Sequence, residues 1–142
     1  MEIVHERIFG SLSVEPAIMA ARDEALRVRG ISPHSPITYI QGNPPWGEGF
    51  AGVLIRAVNS GEVWTITDDG APCGRGWRRN GSAFMVLQNL QGCLEEDAES
   101  VNTPALQAWR MIERAERILR EQGATYHDVV HTWFYLNDML NW

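Results

Sequence analysis

The fold is decided by residues 103–136, which read TPALQAWRMIERAERILREQGATYHDVVHTWFYL. Thr103 is a good N-cap, Pro104 suits the first helical position, and Gly123 is a typical helix stop. We therefore predict a helix over 103–122 that packs one apolar stripe on a sheet. The stripe consists of Ala105, Ala108, Trp109, Ile112, Ala115 and Leu119.

Further elements are predicted on both sides of this helix. A second helix is expected over 16–29, because Pro16 suits its start and Gly30 its end. Asn59-Ser60-Gly61 indicates a tight turn between two strands. The order of elements predicts an α+β fold, with two helices on one face of a mixed sheet. Strands are predicted where Val, Ile, Thr and aromatic residues cluster, at 3–9, 37–41, 50–58, 63–67, 83–87 and 129–136.

A short internal repeat links the two ends of the chain. Residues 2–9 read EIVHERIF and residues 128–135 read DVVHTWFY, so acid, aliphatic, Val and His recur in the same order. His5 and His131 hold the same place in the repeat, which favours a structural role for both histidines over a ligand role.

Composition limits the classes of partner. The 142 residues are 44% hydrophobic and 21% charged, as expected for a folded globular domain. The net charge of −6 disfavours nucleic acid as a partner. With no long apolar run and an acidic N-terminal stretch, no membrane span or secretion signal is predicted, and a cytoplasmic location is expected.

Cofactor and metal chemistry have little support in the sequence. All 12 basic residues are arginines, which excludes lysine Schiff-base chemistry. Cys73 and Cys93 show no zinc-ligand spacing with the four histidines, so we expect neither a metal nor a cofactor. Both thiols are expected to be reduced, although a disulfide stays open.

Residues 115–139, AERILREQGATYHDVVHTWFYLNDM, resemble the centre of a YjgF/RidA (Rid, endoribonuclease L-PSP) family domain. The shared features are a long helix, the turn G-(A/S)-x-x-x-D-V-V and the later L-x-D. Residues 80–89, NGSAFMVLQN, resemble the family's early hairpin strand, and residues 33–41 and 52–58 resemble its last two strands. Residues 2–9 would then be its central strand.

The resemblance implies a particular domain organisation. Residues 1–58 correspond to the back half of one repeat, and residues 59–142 to the front half of the next. The implied fold is Rid-like (chorismate-mutase-like), circularly permuted or part of a tandem. The two halves should pack together, one copy of the repeated strand should pair with a neighbouring molecule, and the implied assembly is a trimer or pseudo-trimer.

The usual chemistry of the family is not supported by the residues present. Family deaminases use an Arg to grip a carboxylate and a Glu to position water. These would fall near Ser35 and Leu54, and neither side chain can perform the corresponding step. Whether the chain is an enzyme, related to hydrolases or imine deaminases, therefore stays open.

Two segments carry candidate site residues. Residues 72–81, PCGRGWRRNG, predict an anion clamp formed by Trp77, Arg78 and Arg79, with Asn89 as a further substrate-binding candidate. The alternative is a hairpin arm whose arginines are solvated or paired with nearby Asp residues.

The second segment is the Gly- and Pro-rich loop at residues 42–49, which contains Glu48. Glu48 is the best candidate for a catalytic acid or base, although such a loop can equally be a plain connector. We expect Glu48 to be dispensable for folding, because a Gly-flanked loop carboxylate is normally solvated.

The function indicated is that of a divergent Rid-superfamily protein that acts on or binds a small anionic metabolite, such as a carboxylate. Two alternatives remain. One is a non-catalytic binding or assembly module of a longer tandem protein, and the other is a chorismatase-like hydrolase.

Overall fold

The computed structural model describes residues 1–33, 35–93 and 103–136. His34 and the end of the Rid-like stretch, 137–139, lie outside the described residues. The chain forms two compact units, residues 1–89 and residues 90–142. The first unit contains β1 (Glu2–Gly10), α1 (Glu15–Val28), β2 (Thr38–Gln41), β3 (Phe50–Val58), β4 (Val63–Asp68), β5 (Ala71–Arg79) and β6 (Ser82–Leu87). The second contains α2 (Pro104–Glu121).

The first sheet has the order β2-β1-β3 and is mixed. β2 runs parallel to β1 and pairs with it only from Arg7 to Gly10. β3 runs antiparallel to β1 from Glu2 to Gly10, with Leu54 opposite Arg7, and the ladder shifts register near both ends, where it skips Val4 of β1 and Ala51 of β3. Among the described residues, β1 is therefore the central strand and β3 an edge strand.

The second sheet is an antiparallel meander with the order β4-β5-β6. Its two hairpin turns are Asp69-Gly70 and Asn80-Gly81, and all four residues have positive φ values between 49° and 81°. These are the residue pairs that two-residue type I′ turns prefer. The α+β class is confirmed, but the predicted single mixed sheet is wrong, because these turns close a separate sheet.

β5 is the strand that the sequence did not predict. Its glycines lower β propensity, yet the sheet requires at least one of them. Gly76 lies directly opposite Trp64, and a Cβ at Gly76 would overlap the indole ring. The glycine thus makes room for an aromatic side chain on the neighbouring strand.

A buried glutamine joins the two sheets of the first unit. The backbone N–H of Glu6 donates to Oε1 of Gln88 at 3.0 Å, and Nε2 of Gln88 donates to the carbonyl of Pro36 at 2.9 Å. β2 pairs with β1 only from Arg7 onward, so the N–H of Glu6 and the carbonyl of Pro36 lie outside that ladder. The Gln88 side chain provides both groups with a hydrogen-bond partner. Ile3, Val4, Ile8 and Ile66 are buried and belong to the apolar core.

Helix α1 is attached to β1 by a buried ion pair. Glu6 is 1% exposed, and Arg22 of α1 donates to it from Nη2 at 2.6 Å and from Nε at 3.1 Å. This fork-shaped contact compensates the carboxylate charge in the interior.

The second unit begins with the long helix that the sequence predicts. The hydroxyl of Thr103 accepts the N–H of Leu106 at 3.3 Å, and Gly123 follows the helix with φ 74°. Leu119 is buried, but Trp109 is 62% exposed, so only part of the predicted stripe is covered. Within the described residues, no helix is long and apolar enough to cross a bilayer.

The strand predicted over 129–136 is wrong for this chain by itself. These described residues form no regular secondary structure, and Val130 is 99% exposed. High β propensity forms a strand only where a neighbouring strand is in reach, and propensity does not supply that neighbour. The two copies of the repeat therefore differ, since the first copy is the central strand β1. The proposed division at residues 58 and 59 stays a prediction.

Candidate functional site

The alternation of side chains along β5 separates the three predicted clamp residues. Trp77 and Arg79 point to one face of the strand, and Arg78 points to the other. Nε of Arg78 lies 2.9 Å from Oε1 of Glu62, and both side chains are more than half exposed. Arg78 is therefore an ion-paired surface residue. The alternative predicted from the sequence was pairing with a nearby Asp, and the partner in the structure is Glu62 instead.

Trp77 and Arg79 line a common shallow cavity of about 360 Å³. Trp77 is buried and stacks on Phe84 of β6, with ring centroids 5.6 Å apart and planes at 14°. This stacking holds the indole in place. The remaining lining comes from the end of β3 and the turn after it, at Ala57, Val58, Asn59 and Ser60.

The turn at Asn59 and Ser60 is fixed to β5. The Ser60 hydroxyl donates to the carbonyl of Arg78 at 2.6 Å and also accepts the N–H of Glu62 at 3.3 Å. One side of the cavity is thereby tied to the strand that carries the arginine.

Arg79 differs from its neighbour in its electrostatic surroundings. Across the described parts of the chain, its guanidinium has no hydrogen bond, ion pair or ring contact, whereas Arg78 is held by Glu62. The cavity residues carry no acidic side chain. The charge of Arg79 is therefore available to a ligand of opposite sign.

Glu48 lies at the opposite end of β3 from the cavity. It precedes the strand, is exposed, and accepts a hydrogen bond from the Ser13 hydroxyl at 3.1 Å. β3 is nine residues long, so about 27 Å of strand separates its two ends. The structure does not bring Glu48 together with Arg79, and its role as acid or base stays a prediction.

Asn89 also lies apart from the cavity. It is exposed, has φ 52°, and follows Gln88, whose N–H donates to the carbonyl of Cys73 at 2.8 Å. Cys73 is six residues from Arg79 along β5, or about 20 Å. Asn89 could thus serve only a different site from that of Arg79.

The two repeated histidines have different environments. His5 is 3% exposed, and burial lowers its pKa to about 4, with further lowering by the positive charges of Arg7 and Arg56. A neutral, buried imidazole agrees with the structural role predicted for it. His131 is exposed, and its ring centroid lies 3.6 Å from that of Trp133, so it is not a core residue of this chain alone.

Sequence reasoning did not find Asn59 and Ser60 as lining residues, because the Asn-Ser-Gly signal was assigned only to a turn. A scan against protein-family models, a search of curated proteins and a search of solved structures each find no match to this chain.

Proposed function

We propose that this chain binds a small carboxylate or a similar anion in the cavity between β3 and β5. The observation that carries the proposal is the contrast between two adjacent arginines. Arg78 is paired with Glu62, whereas Arg79 lines the cavity and has no ion pair within the described residues. A guanidinium offers two parallel N–H donors, which match the two oxygens of a carboxylate.

The other lining residues suit a ligand with a small apolar body. Trp77 provides an aromatic wall, Ala57 and Val58 provide aliphatic surface, and Asn59 can supply a polar contact. The volume of about 360 Å³ lies at the lower end of the range for small-molecule sites. We therefore expect a metabolite-sized ligand.

Binding without turnover is the form of this proposal that the lining supports. The cavity residues include no Asp, Glu, His or Cys, so none of them is an obvious general acid, base or nucleophile. This favours a binding module over a chorismatase-like hydrolase. The proposed family is a divergent branch of the Rid superfamily. Its support is the sequence pattern at 115–139 together with the α+β class.

A titration with acetate, pyruvate and succinate, followed by tryptophan fluorescence, tests the proposal. Arg79→Ala should weaken binding of the preferred carboxylate by about tenfold or more, because a hydrogen-bonded charge contact is removed. Arg78→Ala, which removes the neighbouring arginine on the other face, is the matched control and should leave the affinity within about twofold. Equal affinities in wild type and Arg79→Ala, or no saturable response in wild type, would overturn the proposal.

A further inference from the structure

β3 exposes an unusual amount of apolar surface for an edge strand. It reads FAGVLIRAV, and Phe50, Val53, Leu54 and Ile55 are between 45% and 50% exposed. Edge strands are normally protected by charges, prolines or short length. β3 is nine residues long, has no proline, and carries the single charge of Arg56, and its one irregularity, at Ala51, lies next to its first residue.

We propose that β3 pairs antiparallel with the β3 of a second copy of this chain, with Leu54 on the twofold axis. This antiparallel register lays the two strands alongside each other over their full length, and the irregularity at Ala51, which the ladder between β1 and β3 skips, lies near the ends of the contact rather than at its centre. It places Leu54 opposite Leu54, Val53 opposite Ile55, and Phe50 opposite Val58 of the partner subunit. Apolar side chains then meet apolar side chains along most of the strand.

The single charge in the strand fits the same register. Arg56 falls opposite Gly52 of the partner subunit, where there is no side chain to collide with it. A twofold axis at Arg56 would instead place two guanidinium groups against each other, and like charges directly opposite are destabilising. The full-length register thus also avoids the contact that would oppose self-association.

The backbone contribution is large enough for a stable contact. Two regular nine-residue antiparallel strands form at most about eight to ten hydrogen bonds, because alternate residue pairs exchange two bonds each, and the irregularity at Ala51 removes some of those near the ends. A typical protein interface has about ten. Pairing would join the two three-stranded sheets into one of six strands and bury the half-exposed apolar side chains at its centre.

The expected assembly has two copies, because pairing of identical edges closes on itself. This differs from the trimer that the Rid resemblance implies. The register also places Phe50 of the partner subunit beside Val58, which lines the Arg79 cavity. The pairing itself does not depend on ligand binding at that cavity.

Sedimentation velocity over a wide concentration range tests the stoichiometry. Wild type should approach the mass of two copies. Leu54→Arg should weaken association by about a hundredfold, because two charges would meet at the axis. Leu12→Arg is the matched control, since Leu12 is 54% exposed outside β3, and it should associate like wild type. Far-ultraviolet circular dichroism confirms that each variant is folded.

Cross-linking tests the register with a milder change. In a Cys93→Ser background, which removes the exposed native thiol, Leu54→Cys should form a disulfide-linked dimer on oxidation. Phe50→Cys, equally exposed on the same strand, should not, because Val58 lies opposite it. A wild type that stays monomeric or has the mass of three copies would overturn the proposal. So would association unaffected by Leu54→Arg, or equal cross-linking at both positions.

Discussion

β1 and β3 lie side by side in one sheet, yet β1 buries charged as well as apolar side chains, whereas β3 buries none. β1 encloses Glu6 at 1% exposure and Arg7 at 7%, whereas β3 leaves Leu54 and Ile55 about half exposed. The position of a strand in the sheet, central or edge, therefore decides burial here more than residue type does. Charges buried on β1 have to be compensated inside the chain, whereas the apolar groups on β3 leave about half of their surface in water.

The largest effect is expected from removing the partner of a buried charge on β1. Arg22→Met should destabilise the fold by about 3–5 kcal/mol, because Glu6 would be left buried without its guanidinium. Urea denaturation measures this loss. Arg27→Met removes another ion-paired arginine of the same helix, but its pair with Glu24 is exposed, so the denaturation midpoint should barely move. Similar midpoints for the two variants would contradict the importance of the buried pair.

A smaller effect is expected from the buried imidazole of β1. The pKa of His5 falls from 6.5 in the unfolded chain to about 4 in the folded chain. Between pH 4 and pH 6.5 the imidazole is therefore protonated in the unfolded chain but neutral in the folded one. The associated stability is complete above pH 6.5, and roughly 3 kcal/mol of it is lost as the pH falls to 4. Denaturation of wild type and His5→Gln across this range isolates the contribution. Parallel pH profiles for the two proteins would show that His5 is not responsible.

The smallest effect is expected on β3, from a matched pair of isoleucines. Ile8 of β1 is 1% exposed, and Ile55 of β3 is 50% exposed. Ile8→Val should cost about 1 kcal/mol, the usual loss for one buried methylene. Ile55→Val should change the free energy of unfolding by less than about 0.5 kcal/mol in dilute protein. Equal losses at both positions would mean that β3 is already covered in solution.

Much of the fold was predictable because its signals are local. Caps and stops placed both helices within about two residues of their ends, and β propensity located five strands correctly. β5 was missed because its glycines argue against a strand, and only the facing Trp64 explains Gly76. The strand predicted at 129–136 was wrong for the opposite reason, since the β propensity there is high but none of the described residues pairs with this segment as a strand.

The candidate site was only partly predictable for a related reason. The Arg and Trp cluster was found, but Arg78 and Arg79 can be separated only once β5 is known to be a strand. Asn59 and Ser60 reach the same cavity through the turn between the two sheets. Glu48 was a candidate because it is the carboxylate of a Gly- and Pro-rich loop. Only the length of β3 in the structure shows that Glu48 lies far from Arg79.

The hydrogen bond between Glu6 and Gln88 cannot form during synthesis until both residues have been translated. The two residues are 82 positions apart, so at about 5–20 residues per second a ribosome makes the second roughly 4–16 s after the first. During that interval the second sheet is not yet complete, so the apolar side chains Ile3, Val4 and Ile8 of β1 cannot be buried against it. We expect the nascent chain to be a substrate for ribosome-associated chaperones until Gln88 has emerged.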